Sequence, residues 1–88
     1  MSERFEELRA RIAENDRAII AGLNLRLRLV EELWRLKEAQ GAARLDPDRE
    51  LRLREALAAA NEGPLSGEGL DHFVGELLAL TKRELGEH

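Results

Sequence analysis

Along the first part of the chain, apolar side chains recur every three or four positions, which is the spacing of one face of an α-helix. The residues on this face are Phe5, Leu8, Ile12, Ile19, Leu23, Val30 and Leu33. Between Ser2 and Gln40 there is no proline and a single glycine, Gly22, and the segment is rich in the strong helix formers Ala, Leu, Glu and Arg. The pattern therefore predicts one long helix over residues 2–40.

A second, shorter helix is predicted after a brief loop. Gly41 ends the first helix, because glycine readily adopts the left-handed conformation that follows many helix C-termini. Asp46 followed by Pro47 is typical of an N-cap and the first helical position. The second helix is therefore predicted over residues 47–60.

A third helix completes the chain. Residues 61–64 (Asn-Glu-Gly-Pro) are typical of a turn, and Ser66 can cap a helix over residues 67–85. Its apolar face consists of Leu70, Phe73, Val74, Leu77 and Leu78. The sequence thus predicts an all-α fold, with one very long and two short helices in a single domain over residues 1–88.

The length of the first helix predicts association between chains. At 1.5 Å per residue, about 38 residues make a helix of roughly 57 Å, whereas a compact globule of this chain length is about 30 Å across. The helix should extend beyond its own globule, and its apolar face continues along that extension. We therefore expect an intertwined homodimer, with two long helices side by side and the short helices folded back over them.

Composition narrows the class of function. The formal net charge of −4 argues against nucleic-acid binding, which needs a basic surface. The sequence has no cysteine, and its two histidines, His72 and His88, are isolated, so neither a disulfide framework nor a metal site is predicted. No apolar run approaches the ~20 residues that span a bilayer, and no secretion signal is recognisable. We expect a soluble, cytoplasmic protein.

Two basic residues interrupt the apolar face of the first helix. On a wheel that turns 100° per residue, Arg26 lies in the middle of this face and Lys37 about 20° from it, whereas Arg9 lies beside the face. Burying a charge is costly unless it is paired. One interpretation is that these cations pair with an internal carboxylate such as Glu50, or that their long aliphatic side chains carry the charges to the surface. The other is an interior pocket for an anionic ligand, bound by the arginine fork and the lysine charge.

The order and spacing of these residues resemble the all-helical (AroQ-class, type II) chorismate mutases. The matching elements are Leu8-Arg9-x-x-Ile12, Asp16, Arg26, Lys37, Gly41 and Asp46-Pro-Asp-Arg49-Glu50, which together cover nearly the whole chain in register. The resemblance implies a helical homodimer that converts chorismate to prephenate, in phenylalanine and tyrosine biosynthesis, without a cofactor.

The resemblance places Arg26 and Lys37 in the substrate site and brings Arg9 into it from the other chain. The two arginines would hold the two carboxylates of chorismate. A [3,3] rearrangement needs no nucleophile, acid–base pair or cofactor, because the enzyme has only to hold the substrate in a chair and stabilise the negative charge that develops on the breaking ether oxygen. Lys37 would be the main electrostatic catalyst at that oxygen.

Three residues at the start of the second helix match further family positions. Asp46 and Glu50 match the positions that hold the C4 hydroxyl of the substrate, and Arg49 matches another arginine of the site. Asp46 also has a local role as an N-cap, and the helix dipole favours an acid such as Glu50 in the first turn.

The third helix departs from the family at one position. Thr81 matches a family serine or threonine near the substrate ring. Where the family carries a glutamine, or an acid in some branches, that donates a hydrogen bond to the ether oxygen, this sequence has Leu85, with Glu84 adjacent. Either residue could face the substrate; Leu85 keeps the family register, and Glu84 could donate only when protonated.

Two other functions stay open at this point. An isochorismate pyruvate lyase shares the helical fold, but the segment from Asp46 to Glu50 favours the mutase, because an anchor for the C4 hydroxyl fits chorismate. A non-catalytic regulatory or docking module of a shikimate-pathway enzyme would instead pair its core arginines internally.

Overall fold

The computed structural model describes residues 2–86, and every regular element in that range is an α-helix. The helices are α1 (Ser2–Ala39), α2 (Pro47–Ala60) and α3 (Gly67–Glu84). All three predicted helices are present, α1 and α3 each ending one residue before the predicted boundary, and the all-α fold class is confirmed. Of the two histidines, His72 is exposed, and His88 lies outside the described residues.

The end of α1 is closed by backbone bonds around Gly41. This glycine has φ of +72°, a left-handed conformation in which a side chain would be strained. The Ala42 N–H donates to the Lys37 carbonyl at 2.8 Å, and the Gly41 N–H donates to the Glu38 carbonyl at 3.1 Å. This is the Schellman arrangement, which satisfies carbonyls that the helix itself leaves without partners.

Side chains cap the starts of the two shorter helices. The Asp46 carboxylate accepts the Arg49 N–H at 3.2 Å, so the predicted N-cap of α2 is confirmed. The Ser66 hydroxyl accepts the Gly69 N–H at 3.0 Å, as predicted for α3. Each of these bonds satisfies one backbone donor of the first helical turn and fixes where the helix begins.

The described chain divides into two compact units, the first ending at Leu33 and the second beginning at Trp34. The first unit consists of α1 up to that point. Its apolar side chains are 40–60% exposed at the following positions: Phe5, Leu8, Ile12, Ile19, Ile20, Leu25, Leu29 and Leu33. All seven residues of the apolar face predicted for the long helix are either exposed or half-buried within one chain.

The second unit contains the end of α1, α2 and α3, and it holds the buried residues of the described chain, Trp34, Val74 and Thr81. Helix α2 packs against α3. Phe73 was predicted on the apolar face of α3 but is 51% exposed, whereas Val74 is 1% exposed. Successive residues on a helix point about 100° apart, so burying Val74 turns Phe73 toward the side.

Candidate active site

Lys37 lies in the last turn of α1 and is half-buried. Its ammonium nitrogen donates a hydrogen bond to the main-chain carbonyl of Arg44, at 3.2 Å. A lysine ammonium has three donors, so this bond fixes one of them and leaves the others for a ligand. The sequence predicted Lys37 as a site residue but gave no indication of this contact with the loop.

Glu50 pairs with a residue that the sequence reasoning missed. Its Oε1 lies 3.5 Å from Nζ of Lys82, so the pair joins α2 to α3. Both side chains are about one-third exposed, at 34% and 36%. Pairing of Glu50 with a cation of α1 was one interpretation of the sequence, and the structure instead pairs it with a cation of α3. No local pattern could have indicated Lys82, because the contact depends on how the two helices pack.

Asp46 and Arg49, which flank the start of α2, occupy positions set by the N-cap. Asp46 is half-buried and its carboxylate binds the backbone of Arg49, whose own side chain is exposed. A carboxylate that accepts one N–H keeps further lone pairs for a ligand hydroxyl. The capping role and the predicted ligand role of Asp46 are therefore compatible.

The predicted residues of α3 differ in burial. Thr81 is 4% exposed, and its hydroxyl donates to the Leu77 carbonyl at 2.7 Å. Leu85 is the C-cap, is half-buried, and donates its N–H to the Thr81 carbonyl at 3.0 Å. Glu84 is exposed. The sequence left open whether Leu85 or Glu84 faces the substrate. Of the two side chains, that of Leu85 is the one turned toward the protein.

Two predicted site residues, Arg9 and Arg26, lie in the first unit. Arg26 is half-buried, and the loss of water around its guanidinium lowers its pKa below the ordinary value, although an arginine stays charged at neutral pH. Arg9 is exposed. A terminal guanidinium nitrogen lies 3.4 Å from Oε1 of Glu6, and the guanidinium carbon lies 5.8 Å from the centre of the Phe5 ring. Both of its contacts are with neighbours on the same helix.

The described residues contain neither a helix long and apolar enough to cross a membrane nor a group of three or more histidine and carboxylate side chains placed to hold a metal ion. Apart from Leu85, the predicted site residues are cations, carboxylates and one hydroxyl. Such groups bind and orient an anionic ligand and stabilise developing negative charge.

Comparison with known proteins gives the family. The family model described as chorismate mutase type II matches residues 8–84 of the 88-residue chain. The chain belongs to the type II chorismate mutase family. The chorismate mutases of this family are isomerases, and the match includes every predicted site residue except Leu85, which lies one position beyond it. No curated protein matches the chain.

Family membership bears on the predictions made from the sequence. The resemblance to all-helical chorismate mutases is confirmed, and with it chorismate as substrate and the rearrangement to prephenate as the activity. Neither the family match nor the described structure favours the lyase or the non-catalytic module. The roles of individual residues stay predictions.

Proposed function

We propose that this chorismate mutase acts through Lys37 as the main electrostatic catalyst, and that the observation carrying this role is the bond from its ammonium to the Arg44 carbonyl. A lysine stem is flexible, so a charge that must meet one substrate oxygen gains from a fixed anchor. The two remaining donors can then be directed at the ether oxygen, where negative charge develops as the bond breaks.

In this proposal Arg26 and Arg9 hold the two carboxylates of chorismate. Arg26 is half-buried, and this desolvation lowers the pKa of its guanidinium; a carboxylate ligand can form charge-assisted hydrogen bonds with such a group. The exposed Arg9 is proposed to act on the site of the partner chain. Its support is its place in the family pattern, together with an exposure that leaves it available to another protomer.

We further propose that the C4 hydroxyl of the substrate is held by Glu50 and Asp46, while Arg49 and Thr81 complete the site and Leu85 or Glu84 lies near the ether oxygen. Glu50 is supported by its tethered carboxylate, since the pair with Lys82 restrains where its oxygens lie. Asp46 is supported by the N-cap bond, which fixes its side chain.

The functional form in this proposal is an intertwined homodimer. Its support is the exposure of the apolar side chains on the first unit of α1, which are 40–60% exposed at eight positions, five of them on the predicted apolar face. Contiguous apolar surface of this kind marks an interface, and a second copy of the same helix offers a self-complementary partner. We place the enzyme in the cytoplasm, where it supplies prephenate for aromatic amino acid synthesis.

The direct test is to follow the absorbance of chorismate after adding purified protein and to identify the product. Loss of chorismate with formation of prephenate is expected. Turnover of isochorismate to salicylate would identify a pyruvate lyase instead, and absence of turnover of either compound by the folded protein would leave a non-catalytic module.

A further inference from the structure

The loop between α1 and α2 is bonded to Lys37 at two points. The Lys37 carbonyl accepts the Ala42 N–H at 2.8 Å, and the Lys37 ammonium donates to the Arg44 carbonyl at 3.2 Å. The main chain of Lys37 therefore binds the loop, and the loop in turn binds the ammonium group of Lys37. The position of the ammonium depends on where the main chain of Arg44 lies.

Arg44 is itself held by two residues of α1. Its guanidinium carbon lies 5.2 Å from the centre of the Trp34 ring, and its Nε donates to Oε1 of Glu38 at 2.6 Å. A terminal nitrogen of the same guanidinium also bonds Glu38. Trp34 is 8% exposed, so it offers a fixed surface for the cation. Trp34 and Glu38 are four residues apart and so share one face of the helix.

A planar guanidinium that stacks on a ring and binds a carboxylate through two nitrogens has few orientations open to it. The main-chain carbonyl of Arg44 is restrained as a result. Catalysis by a positioned charge is sensitive to small displacements, since a misplacement of about 1 Å costs up to roughly a hundredfold in rate. A loop residue that sets the place of the Lys37 ammonium therefore affects turnover.

We propose that Arg44, clamped between the Trp34 ring and the Glu38 carboxylate, is a positioning residue that fixes the Lys37 ammonium through its own main-chain carbonyl. The inference rests on the proposed catalytic role of Lys37. It adds three residues to the site, and none of them was among the site residues predicted from the sequence. They are Trp34, Glu38 and Arg44.

The test begins with Arg44→Ala, Arg44→Lys and Glu38→Gln. Arg44→Ala is expected to lower kcat roughly ten- to a hundredfold, with a smaller change in KM, while circular dichroism shows a folded protein. Arg44→Lys keeps the charge but loses the planar fork, so it should restore only part of the rate. Arg52→Ala, which removes an exposed arginine of α2, is the matched control and should keep the parental kcat. An unchanged kcat in folded Arg44→Ala overturns the proposal.

A double-mutant cycle separates this inference from the proposed function. If Arg44 acts through Lys37, then Arg44→Ala should lower kcat in the parent enzyme but have almost no further effect in Lys37→Met. Full additivity of the two changes would overturn the positioning role while leaving Lys37 as catalyst. An undiminished rate in Lys37→Met alone would instead overturn the proposed role of Lys37.

A second measurement does not depend on activity. Trp34 is the one tryptophan in the sequence, so the intrinsic fluorescence of the protein reports the clamp. Removal of the stacked guanidinium in Arg44→Ala, or its loosening in Glu38→Gln, is expected to shift the Trp34 emission, and Arg52→Ala should leave it unchanged. Identical emission from the parent and these three variants would show that the Arg44 guanidinium does not stack on the Trp34 ring in solution. That result would overturn the proposal.

Discussion

Glu50 and Lys82 join α2 to α3, with Oε1 of the carboxylate 3.5 Å from Nζ of the ammonium. Ion pairs that are about one-third exposed contribute little to folding, typically about 0–1 kcal/mol. The contact is more consequential for the site, because Glu50 is the carboxylate proposed to hold the C4 hydroxyl of chorismate. A cation on the neighbouring helix restrains that carboxylate before the substrate arrives.

The first prediction follows from this pair. Lys82→Ala should lower the free energy of unfolding by less than about 1 kcal/mol, yet raise the KM for chorismate several-fold, because the Glu50 carboxylate loses its restraint. Lys82→Arg should retain most of the parental KM. Urea unfolding and steady-state kinetics measure the two effects. A normal KM in Lys82→Ala would show that Glu50 needs no partner on α3.

The second prediction concerns the two cations on the apolar face of α1. Arg26→Ala and Lys37→Ala should each lower kcat/KM by two to three powers of ten, which corresponds to about 3–4 kcal/mol of transition-state stabilisation. Both variants should stay folded. The matched control is Arg28→Ala, which removes an exposed arginine of the same helix and should leave the kinetics unchanged. If either Ala variant unfolds while its folded fraction keeps full activity, that residue is a structural ion-pair partner.

The third prediction is the homodimer. Sedimentation should give about twice the 10.0 kDa mass of the chain, and the Tm should rise with protein concentration because folding and association are linked. A charge on the predicted apolar face of α1, as in Ile12→Lys, should dissociate the dimer, whereas Arg17→Lys, at an exposed polar position, should not. A stable folded monomer at micromolar concentration is the contrary result.

Exchange between two inactive variants tests whether Arg9 acts on the partner. Arg9→Ala and Lys37→Ala put their defects in different chains of a mixed dimer. If Arg9 acts in trans, each mixed dimer has one intact site, so random exchange of an equal mixture should restore about one quarter of the parental activity. If Arg9 acts within its own chain, mixing restores nothing, because every site retains one defect.

The fourth prediction concerns the end of α3, where Leu85 is half-buried and Glu84 exposed. We expect kcat to be flat from about pH 5 to 8, because Leu85 contributes no proton to any step and Lys37 acts without a second donor. Leu85→Gln should raise kcat by supplying a neutral donor for the ether oxygen. Glu84→Gln should change neither kcat nor its pH dependence. Activity that is favoured by acid and loses this dependence in Glu84→Gln would assign the donor to Glu84.

The helices and the family could both be predicted from the sequence. Helix boundaries are set by contacts within a few residues: Gly41 closes α1 because its backbone adopts a left-handed conformation, and the side chains of Asp46 and Ser66 cap α2 and α3. The positions of Arg26 and Lys37 on the apolar face were also readable, because helical periodicity fixes which residues share a face.

Contacts between residues far apart in the sequence could not be predicted, because they depend on packing. Trp34 lies outside the seven residues of the predicted apolar face of α1, yet it is buried and stacks against the Arg44 guanidinium. The partner of Glu50 is thirty-two positions away in α3, and the anchor of Lys37 is a main-chain carbonyl that no residue type could indicate. These contacts come from the packing of α2 on α3 and from the path of one loop. Periodicity within a single helix carries no information about either, so the sequence could propose site residues but not the groups that contact them.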